Sequence, residues 1–187
     1  LNRKVGKLTL LSLYDPATKP RWDEPVKPIS GGEENELLYR RWVRNRRADV
    51  DRLSGGRLGY VHVQSMSDAS YRTVIEEVLG LSPDKDALIV DTRFNGGGNL
   101  HDTLADFLSG KKVFDILPRG QLVGYEPYNK WIKPSIVLMG ECNYSDAHLF
   151  PVEYKIRGLG QTLGMPVPGT GTFVWWELRR EHPMLPV

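Results

Sequence analysis

The spacing of apolar residues along the first part of the chain predicts two short strands and a long helix. Residues 8–13 and 22–29 have the extended character of strands, and the turn between them begins at Asp15-Pro16. A glycine pair then breaks the chain. Residues 33–51 are predicted to form a helix, because acidic side chains crowd its start and basic side chains its end, which complements the helix dipole.

From residue 58 onward the pattern changes to strands that alternate with helices. Short continuous apolar runs predict buried strands, and apolar residues three and four apart predict helices. Residues 118–133 show neither pattern and are expected to be irregular. Because such alternation favours right-handed crossovers, we expect an α/β fold with a mainly parallel sheet. The predicted strands are 58–64, 87–90, 113–117, 135–139 and 161–164, and the predicted helices begin at Ser67 or Asp68, at Leu100 and at Ser145.

Composition narrows the class of protein without identifying its function. The 187 residues suffice for one sizeable domain, or for one domain and part of another. Lys and Arg total 25 against 23 Asp and Glu, so the net charge of +2 gives no reason to expect nucleic acid or an anionic membrane as partner. No apolar run approaches the roughly 18 residues that span a bilayer. A single cysteine, Cys142, excludes an internal disulfide framework and a Cys-rich zinc site.

A glycine-rich loop follows the predicted strand at 87–90. Residues 95–98 read Asn-Gly-Gly-Gly and precede a helix. Glycines let backbone N–H groups approach a ligand closely, and donors at a helix start stabilise an anion, either a phosphate or the oxyanion of an acyl-transfer intermediate. The loop lacks the Lys-Ser/Thr pair of a P-loop and does not match the dinucleotide-binding pattern. A tight turn without function is the alternative.

A serine occupies the corresponding place after the strand at 135–139. Ser145 stands where that strand passes into a helix, a position that favours a nucleophile through the helix dipole and free N–H groups. Parallel strands bring both loops to one edge of the sheet, where a hydroxyl and amide donors together suit acyl transfer. The alternative is that Ser145 is an ordinary N-cap.

The histidines and the cysteine are weaker candidates. His148 lies three residues after Ser145 on the same helix face, but such a partner points alongside the hydroxyl more often than at it. His101 follows the glycine loop and is expected near the site as a contact of the substrate or of the site residues. We expect His62 to be packed or at the surface, and Cys142 to be a small buried residue.

Six stretches in family order make the chain resemble the tail-specific, or C-terminal-processing, serine peptidases, and more narrowly their tricorn-like branch. Together they cover nearly the whole chain. They are VKPIS at 26–30, LLYRRWV at 37–43, GRLGYVHV at 56–63, DTRFNGGG at 91–98, NYSDAHLFP at 143–151 and GMPVPGTGT at 164–172.

The resemblance implies a particular fold and domain order. The family core is a crotonase-like or ClpP-like α/β superhelix, usually preceded by a PDZ domain. Residues 1–30 then correspond to the end of a PDZ-like domain, 31–54 to a connector helix and 55–187 to a peptidase core that is incomplete at its C-terminal end. The first residues also predict a strand instead of a signal peptide, so we expect a piece of a longer protein.

The resemblance assigns roles to individual residues. Ser145 is the nucleophile, its own amide forms an oxyanion hole with that of Gly97 or Gly98, and Asp146 orients the substrate or the site. No cofactor or metal is implied. Members with a Ser-Lys pair carry the lysine about 25 residues after the serine, but residues 169–171 here read Gly-Thr-Gly. The tricorn-like histidine and glutamate are expected outside the chain, and His148, where the family commonly has Glu, has no settled role.

The function expected from this resemblance is that of a serine endopeptidase core. It hydrolyses peptide bonds in unfolded or C-terminal peptide segments, with the general base supplied from outside the chain, so that the chain alone has little or no activity. A non-catalytic module that binds a small molecule or peptide is the alternative. A crotonase-type acyl-CoA enzyme is a third, for which we identify neither an adenine pocket nor catalytic carboxylates. Homo-oligomerisation is a property to test, and the compartment, bacterial periplasm or cytoplasm, is open.

Overall fold

The computed structural model describes residues 3–171, 176–177 and 185–186. The chain divides into two compact units, Leu1–Asn45 and Arg46–Val187. The boundary falls within the first helix. The predicted division into 1–30, 31–54 and 55–187 therefore stays a prediction.

A hairpin and the start of a long helix make up the first unit. Strands β1 (Thr9–Tyr14) and β2 (Arg21–Val26) pair antiparallel, with Thr9 opposite Val26. Helix α1 (Gly31–Ser54) begins after Ser30. The Ser30 hydroxyl accepts the Glu33 N–H at 3.1 Å, and the Ser30 N–H donates to the Glu33 carboxylate at 2.7 Å. This reciprocal capping explains why α1 begins directly after Ser30, two residues before the predicted start at residue 33.

The second unit is an α/β fold with a parallel sheet, as predicted. In chain order its elements are β3 (Leu58–His62), α2 (Asp68–Leu81), β4 (Ala87–Asp91), α3 (His101–Leu108), β5 (Phe114–Ile116), a 3-10 turn (Pro118–Gly120), β6 (Gly124–Glu126), β7 (Ser135–Met139), α4 (Asp146–Ile156), β8 (Gly160–Gly164), β9 (Trp176–Glu177) and β10 (Leu185–Pro186). Four strands form the sheet in the order β3-β4-β7-β8, and all neighbours are parallel. The other described strands of this unit form two short antiparallel pairs, β5 with β6 and β9 with β10.

One apolar cluster joins the sheet to its helices. Strands β3, β4 and β7 supply valines and a leucine, and the helices supply larger side chains, so each apolar helix face is buried as its periodicity predicts. Helices α3 and α4 pack against each other. This packing fixes the positions at which both helices begin, next to the two loops of interest. The buried members include Val61, Val90, Val137, Val74, Val78, Leu104, Phe107, Phe150 and Tyr154.

Two predictions of secondary structure need comment. Residues 118–133 were expected to be irregular, which is wrong for 124–126, since β6 pairs with β5. A three-residue strand is too short to show an alternating pattern. The sequence also predicts a loop and then a strand over residues 164–177, a stretch of which residues 172–175 lie outside those described. Over the described ranges, no helix is both long and apolar enough to cross a membrane.

Candidate active site

The two loops named from the sequence lie side by side. Strands β4 and β7 are parallel neighbours, with Asp91 opposite Leu138, so the loops that follow them leave the same edge of the sheet. The Tyr144 N–H donates to the Asn95 carbonyl at 3.0 Å and bonds one loop to the other. The prediction that the topology brings the two loops together is confirmed.

Asn95 shapes the glycine loop from inside. Its buried side chain donates to the Val63 carbonyl at 2.8 Å and accepts the Gly97 N–H at 2.9 Å. The Gly97 N–H is therefore already used by the protein. Among the hydrogen bonds of the described residues, none is donated by the Gly98 N–H. The geometry thus favours Gly98 over Gly97 as a donor to a bound anion.

The two glycines also stand where no other residue fits. Gly97 has φ +99°, and a Cβ there would lie 2.7 Å from the Tyr144 carbonyl oxygen and 2.8 Å from Ser145 Cβ. Gly98 has φ +145°, and a Cβ there would lie 2.0 Å from the Met66 carbonyl oxygen. That carbonyl accepts the Asn99 N–H at 2.7 Å, while the Met66 N–H donates to the Gly97 carbonyl at 3.0 Å. The loop is held between β3 and the serine.

Ser145 has a backbone conformation that is unusual for a residue with a side chain. Its φ is +51° and its ψ −121°, at the N-cap of α4. This strained turn from strand to helix is the kind that presents a nucleophilic hydroxyl. The hydroxyl makes no capping hydrogen bond to the helix. Within the described part of the chain, the N–H groups of Ser145 and Asp146 donate to no acceptor. An ordinary N-cap would use its hydroxyl as Ser67 does on α2.

Asp146 faces the start of α3. Its buried carboxylate accepts the Leu100 N–H at 2.6 Å and the His101 N–H at 3.1 Å, and its other oxygen bonds Nδ1 of His101. Nε2 of His101 lies 3.9 Å from the Glu153 carboxylate. The residue after the serine therefore ties α4 to the helix that follows the glycine loop. The sequence did not show that His101 and Asp146 are partners.

His148 has a buried but unpaired ring nitrogen. Its Nδ1 has no hydrogen-bond partner among the described residues, and the same is true of the Thr170 hydroxyl. Gly171 packs on this ring, since a Cβ there would lie 3.6 Å from Nδ1. No hydrogen bond joins the side chains of His148 and Ser145 in the described structure. His182 lies outside the described residues.

A buried ionic group of Asp91, Tyr60 and Arg93, which the sequence analysis did not predict, supports the chain directly before the glycine loop. The Asp91 carboxylate accepts the Tyr60 hydroxyl at 2.8 Å and the Arg93 guanidinium at 2.6 and 2.9 Å. It also accepts the Arg93 N–H at 3.0 Å, which turns the chain directly after β4. Nε2 of His62 lies 2.9 Å from the Arg93 carbonyl oxygen. An Asp-x-Arg sequence directly after a buried strand was the available signal.

This group has shifted pKa values. Burial alone raises the pKa of Asp91, but the hydrogen bonds from Arg93 and Tyr60 outweigh it and hold that pKa below its ordinary value. Burial, with the nearby Asp91 charge, raises the pKa of Tyr60. Burial lowers the pKa of His62, which is 6% exposed. All three shifts favour an ionised Asp91 beside a neutral tyrosine and a neutral histidine at neutral pH.

Asn143 was also missed and holds the serine loop. Its buried amide donates to the Thr92 hydroxyl at 2.9 Å and to the Ala147 carbonyl at 3.2 Å. Pro151 has no N–H to offer that carbonyl four residues earlier in the helix, so Asn143 replaces the missing donor. A proline four residues after Ala147 was the signal in the sequence.

The expectation for the reactive side chain of Cys142 is wrong. Cys142 was expected to be buried and is exposed, because the loop between β7 and Ser145 turns it outward. No group of three or more His, Cys, Asp or Glu side chains that could hold a metal ion occurs among the described residues.

Comparisons with known proteins agree with one another. The profile described as Peptidase family S41 matches residues 57–181. Tricorn protease homolog 1 of Streptomyces coelicolor is 31% identical over 151 residues, which are 75% of this chain and 14% of that protein. The tricorn protease of Thermoplasma acidophilum is 32% identical over 150 residues, 72% of this chain and 13% of that protein. The chain thus spans only a small part of these relatives.

Solved structures resemble the chain in the same way. The crystal structure of the tricorn protease covers 100% of this chain and 18% of its own, with a TM-score of 0.80 and 25% sequence identity. The photosystem II D1 C-terminal processing protease covers 70% of this chain and 36% of its own, with a TM-score of 0.52. At 20% identity the second likeness concerns the fold alone.

Proposed function

The chain belongs to peptidase family S41, and from this premise we propose that it is the core of a serine endopeptidase in which Ser145 is the nucleophile. One observation carries the proposal. Ser145 holds a strained positive φ at the start of α4, its hydroxyl is not used as a cap, and the glycine loop lies against it. Strain retained at such a position suits a hydroxyl that must be presented to a substrate.

The proposed chemistry is acyl transfer to the serine. The Ser145 hydroxyl oxygen attacks the carbonyl carbon of the scissile peptide bond, and the carbonyl oxygen becomes an oxyanion. The N–H groups of Gly98 and Ser145, which donate to nothing among the described residues, stabilise that oxyanion. Gly97 is not a donor in this proposal, because its N–H is bonded to Asn95. The general base takes the hydroxyl proton and returns it to the leaving amine as the C–N bond breaks, which leaves an acyl-enzyme ester. Water then attacks that ester, releases the acyl part as a carboxylic acid and restores the Ser145 hydroxyl.

Asp146 acts as a positioning residue in this scheme. Its carboxylate is bonded to the start of α3, so it holds the glycine loop in register with Ser145 and need not touch the substrate. The general base is supplied by a segment outside the 187 residues, as in the tricorn-like branch. His148 and His101 stay candidate contacts of the site.

The finer domain architecture belongs to the same proposal. We take residues 55–187 as a peptidase core of the crotonase-like or ClpP-like kind, 31–54 as its connector helix and 1–30 as the end of a PDZ-like domain. The substrate is an unfolded or C-terminal peptide segment. Relatives named tricorn protease support a peptide substrate. Self-association is part of the proposal and is tested by the mass of the protein in solution.

A binding module without catalysis is the second candidate. It is favoured by the absence, among the described residues, of a base bonded to the Ser145 hydroxyl. Such a module would use the same loops to hold a peptide or a small molecule. A binding module and a peptidase differ in the reactivity of the Ser145 hydroxyl, which can be measured.

Labelling with a fluorophosphonate tests the two candidates. The probe is applied to the 187-residue chain and to a longer polypeptide that includes the expected histidine, each with Ser145→Ala and Ser109→Ala variants. We expect strong labelling of the longer polypeptide that Ser145→Ala abolishes and Ser109→Ala preserves, and weak labelling of the short chain. Unchanged labelling of Ser145→Ala contradicts the assignment of the nucleophile, and no labelling at all supports the binding module.

A further inference from the structure

Two exposed aromatic side chains flank the proposed nucleophile. Phe94 precedes the glycine loop and is 65% exposed, and Tyr144 directly precedes Ser145 and is 56% exposed. Their backbones are neighbours, because the Tyr144 N–H donates to the carbonyl of Asn95. Gly97 lies against both the Tyr144 carbonyl and Ser145. Phe94 and Tyr144 therefore lie at the same edge of the sheet as Ser145.

Phe94 is held there at a conformational cost. Its φ is +68°, a left-handed value that a bulky side chain rarely adopts. The 65% exposure of the residue adds a second cost, since an aromatic side chain gains free energy by burial. An asparagine or glycine at position 94 would avoid both the left-handed strain and the exposed aromatic side chain. An outlier of this kind, in a segment bonded to the nucleophile loop, points to a function for the side chain.

We propose that Phe94 and Tyr144 form a specificity subsite that selects peptides with a bulky apolar side chain close to the scissile bond. The proposal rests on the proposed function of Ser145 and names its substrate class. A leucine or phenylalanine side chain placed between the rings removes apolar surface of both partners from water. The carbonyl next to that side chain then lies at the serine. Small or charged side chains gain little from the same contact.

Peptide binding to the Ser145→Ala variant tests the subsite without turnover. Fluorescein-labelled ten-residue peptides with Phe-Leu, Ala-Ala or Asp-Lys at the centre are titrated and followed by fluorescence anisotropy. We expect Phe-Leu to bind about tenfold more tightly than the other two, a preference that Phe94→Ala or Tyr144→Ala removes almost completely. Phe114→Ala and Tyr128→Ala are matched controls, with aromatic rings 57% and 72% exposed, and should leave the preference unchanged.

A further variant separates binding from folding. Phe94→Gly relieves the left-handed strain, so its melting temperature should be equal to or above that of the parent while the Phe-Leu preference is lost. Equal binding of all three peptides, or a preference that survives both Phe94→Ala and Tyr144→Ala, overturns the subsite. A preference present in the short chain and absent in the longer polypeptide also overturns it, because another segment then covers the rings.

Failure of the subsite is distinguishable from failure of the proposed function. A small fluorophosphonate without an apolar side chain reports the nucleophile alone: Ser145→Ala should abolish its labelling, and Phe114→Ala should leave its rate unchanged. If the probe fails to label Ser145 while the peptide preference stands, the peptidase proposal is wrong and the recognition of apolar peptides is retained.

Discussion

The glycine loop and the serine loop at the edge of the sheet both adopt a positive φ before a helix, but with different residues. Each leaves a buried parallel strand, each is braced by a buried asparagine, and each needs a positive φ next to the start of a helix. In the first loop glycine meets that need at Gly97 and Gly98. In the second loop Ser145 meets it with a side chain in place, at φ +51°. Strain is accepted at the position that carries a hydroxyl and avoided at the positions that carry only a backbone N–H.

Replacement of Gly98 is the most severe test of this difference. Gly98→Ala places a Cβ 2.0 Å from the Met66 carbonyl oxygen at a φ of +145°, and we expect a loss of about 4 kcal/mol in the free energy of unfolding. Urea denaturation measures it. Gly96→Ala is the control, because no atom lies within 4 Å of its Cβ, and it should cost less than about 1 kcal/mol. Similar losses of stability in Gly98→Ala and Gly96→Ala contradict the close approach of Gly98 to the Met66 carbonyl.

Replacement of Asp146 removes the hydrogen bonds that join α4 to the start of α3. Asp146→Ala leaves the buried N–H groups of Leu100 and His101 without their acceptor, so we expect a loss of about 2 to 3 kcal/mol in denaturant titrations. Asp146→Asn retains an amide oxygen for those donors and should recover about half of it. Asp68→Ala, which removes an exposed carboxylate paired with Arg72, should cost about 0.5 kcal/mol. An equal loss in Asp146→Asn and Asp146→Ala argues against this role.

The free energy of unfolding should depend on pH through His62, which lies next to the segment before the glycine loop. Because burial lowers the pKa of His62, the folded state binds fewer protons than the unfolded state below about pH 6.5. Stability is therefore complete above that pH and falls as the pH is lowered through it, by at most about 1.4 kcal/mol per pH unit for one proton.

Unfolding free energies between pH 7.5 and pH 5 measure this slope. His62→Gln keeps a donor for the Arg93 carbonyl and removes the titration, so its profile should be flatter than that of the parent. Asp91, whose pKa is lowered, loses its contribution only below about pH 4 and does not enter this window. Parallel profiles for the two proteins contradict the assignment to His62.

The smallest expected effect concerns the strain at Ser145 itself. Ser145→Gly relieves the positive φ and Ser145→Ala does not, so the glycine variant should be more stable than the alanine variant by about 1 kcal/mol. Melting temperatures of the two variants give the difference. If alanine is as stable as glycine, the second loop carries no strain and the contrast with the first loop disappears.

Much of the fold followed from local pattern. Strand β7 was predicted to the residue, and α2 begins at the predicted cap Ser67, because burial and capping leave periodic traces in the sequence. Strand β6 left no trace, since three residues are too few to alternate. The neighbouring positions of the two loops also followed, because parallel strands bring their ends to one edge.

The finer arrangement of the candidate site could not be predicted. Nothing local in Asn-Gly-Gly-Gly says that the Asn95 side chain takes the Gly97 N–H and leaves that of Gly98 unused. The partnership of Asp146 with His101 joins residues 45 positions apart, which no periodicity reports. The positive φ of Phe94 and of Ser145 depends on tertiary bonds that hold each segment against its own preference.

The backbone bridge between Met66 and Gly98 also bears on how fast nearby amide hydrogens exchange with solvent. Because the Met66 and Asn99 N–H groups are hydrogen-bonded across it, we expect their hydrogens to exchange with solvent slowly, by local opening of these bonds. We expect the amide hydrogen of Gly98, which donates to no acceptor among the described residues, to exchange faster. In the proposed mechanism such a loop is already ordered around the one N–H that a substrate carbonyl would meet.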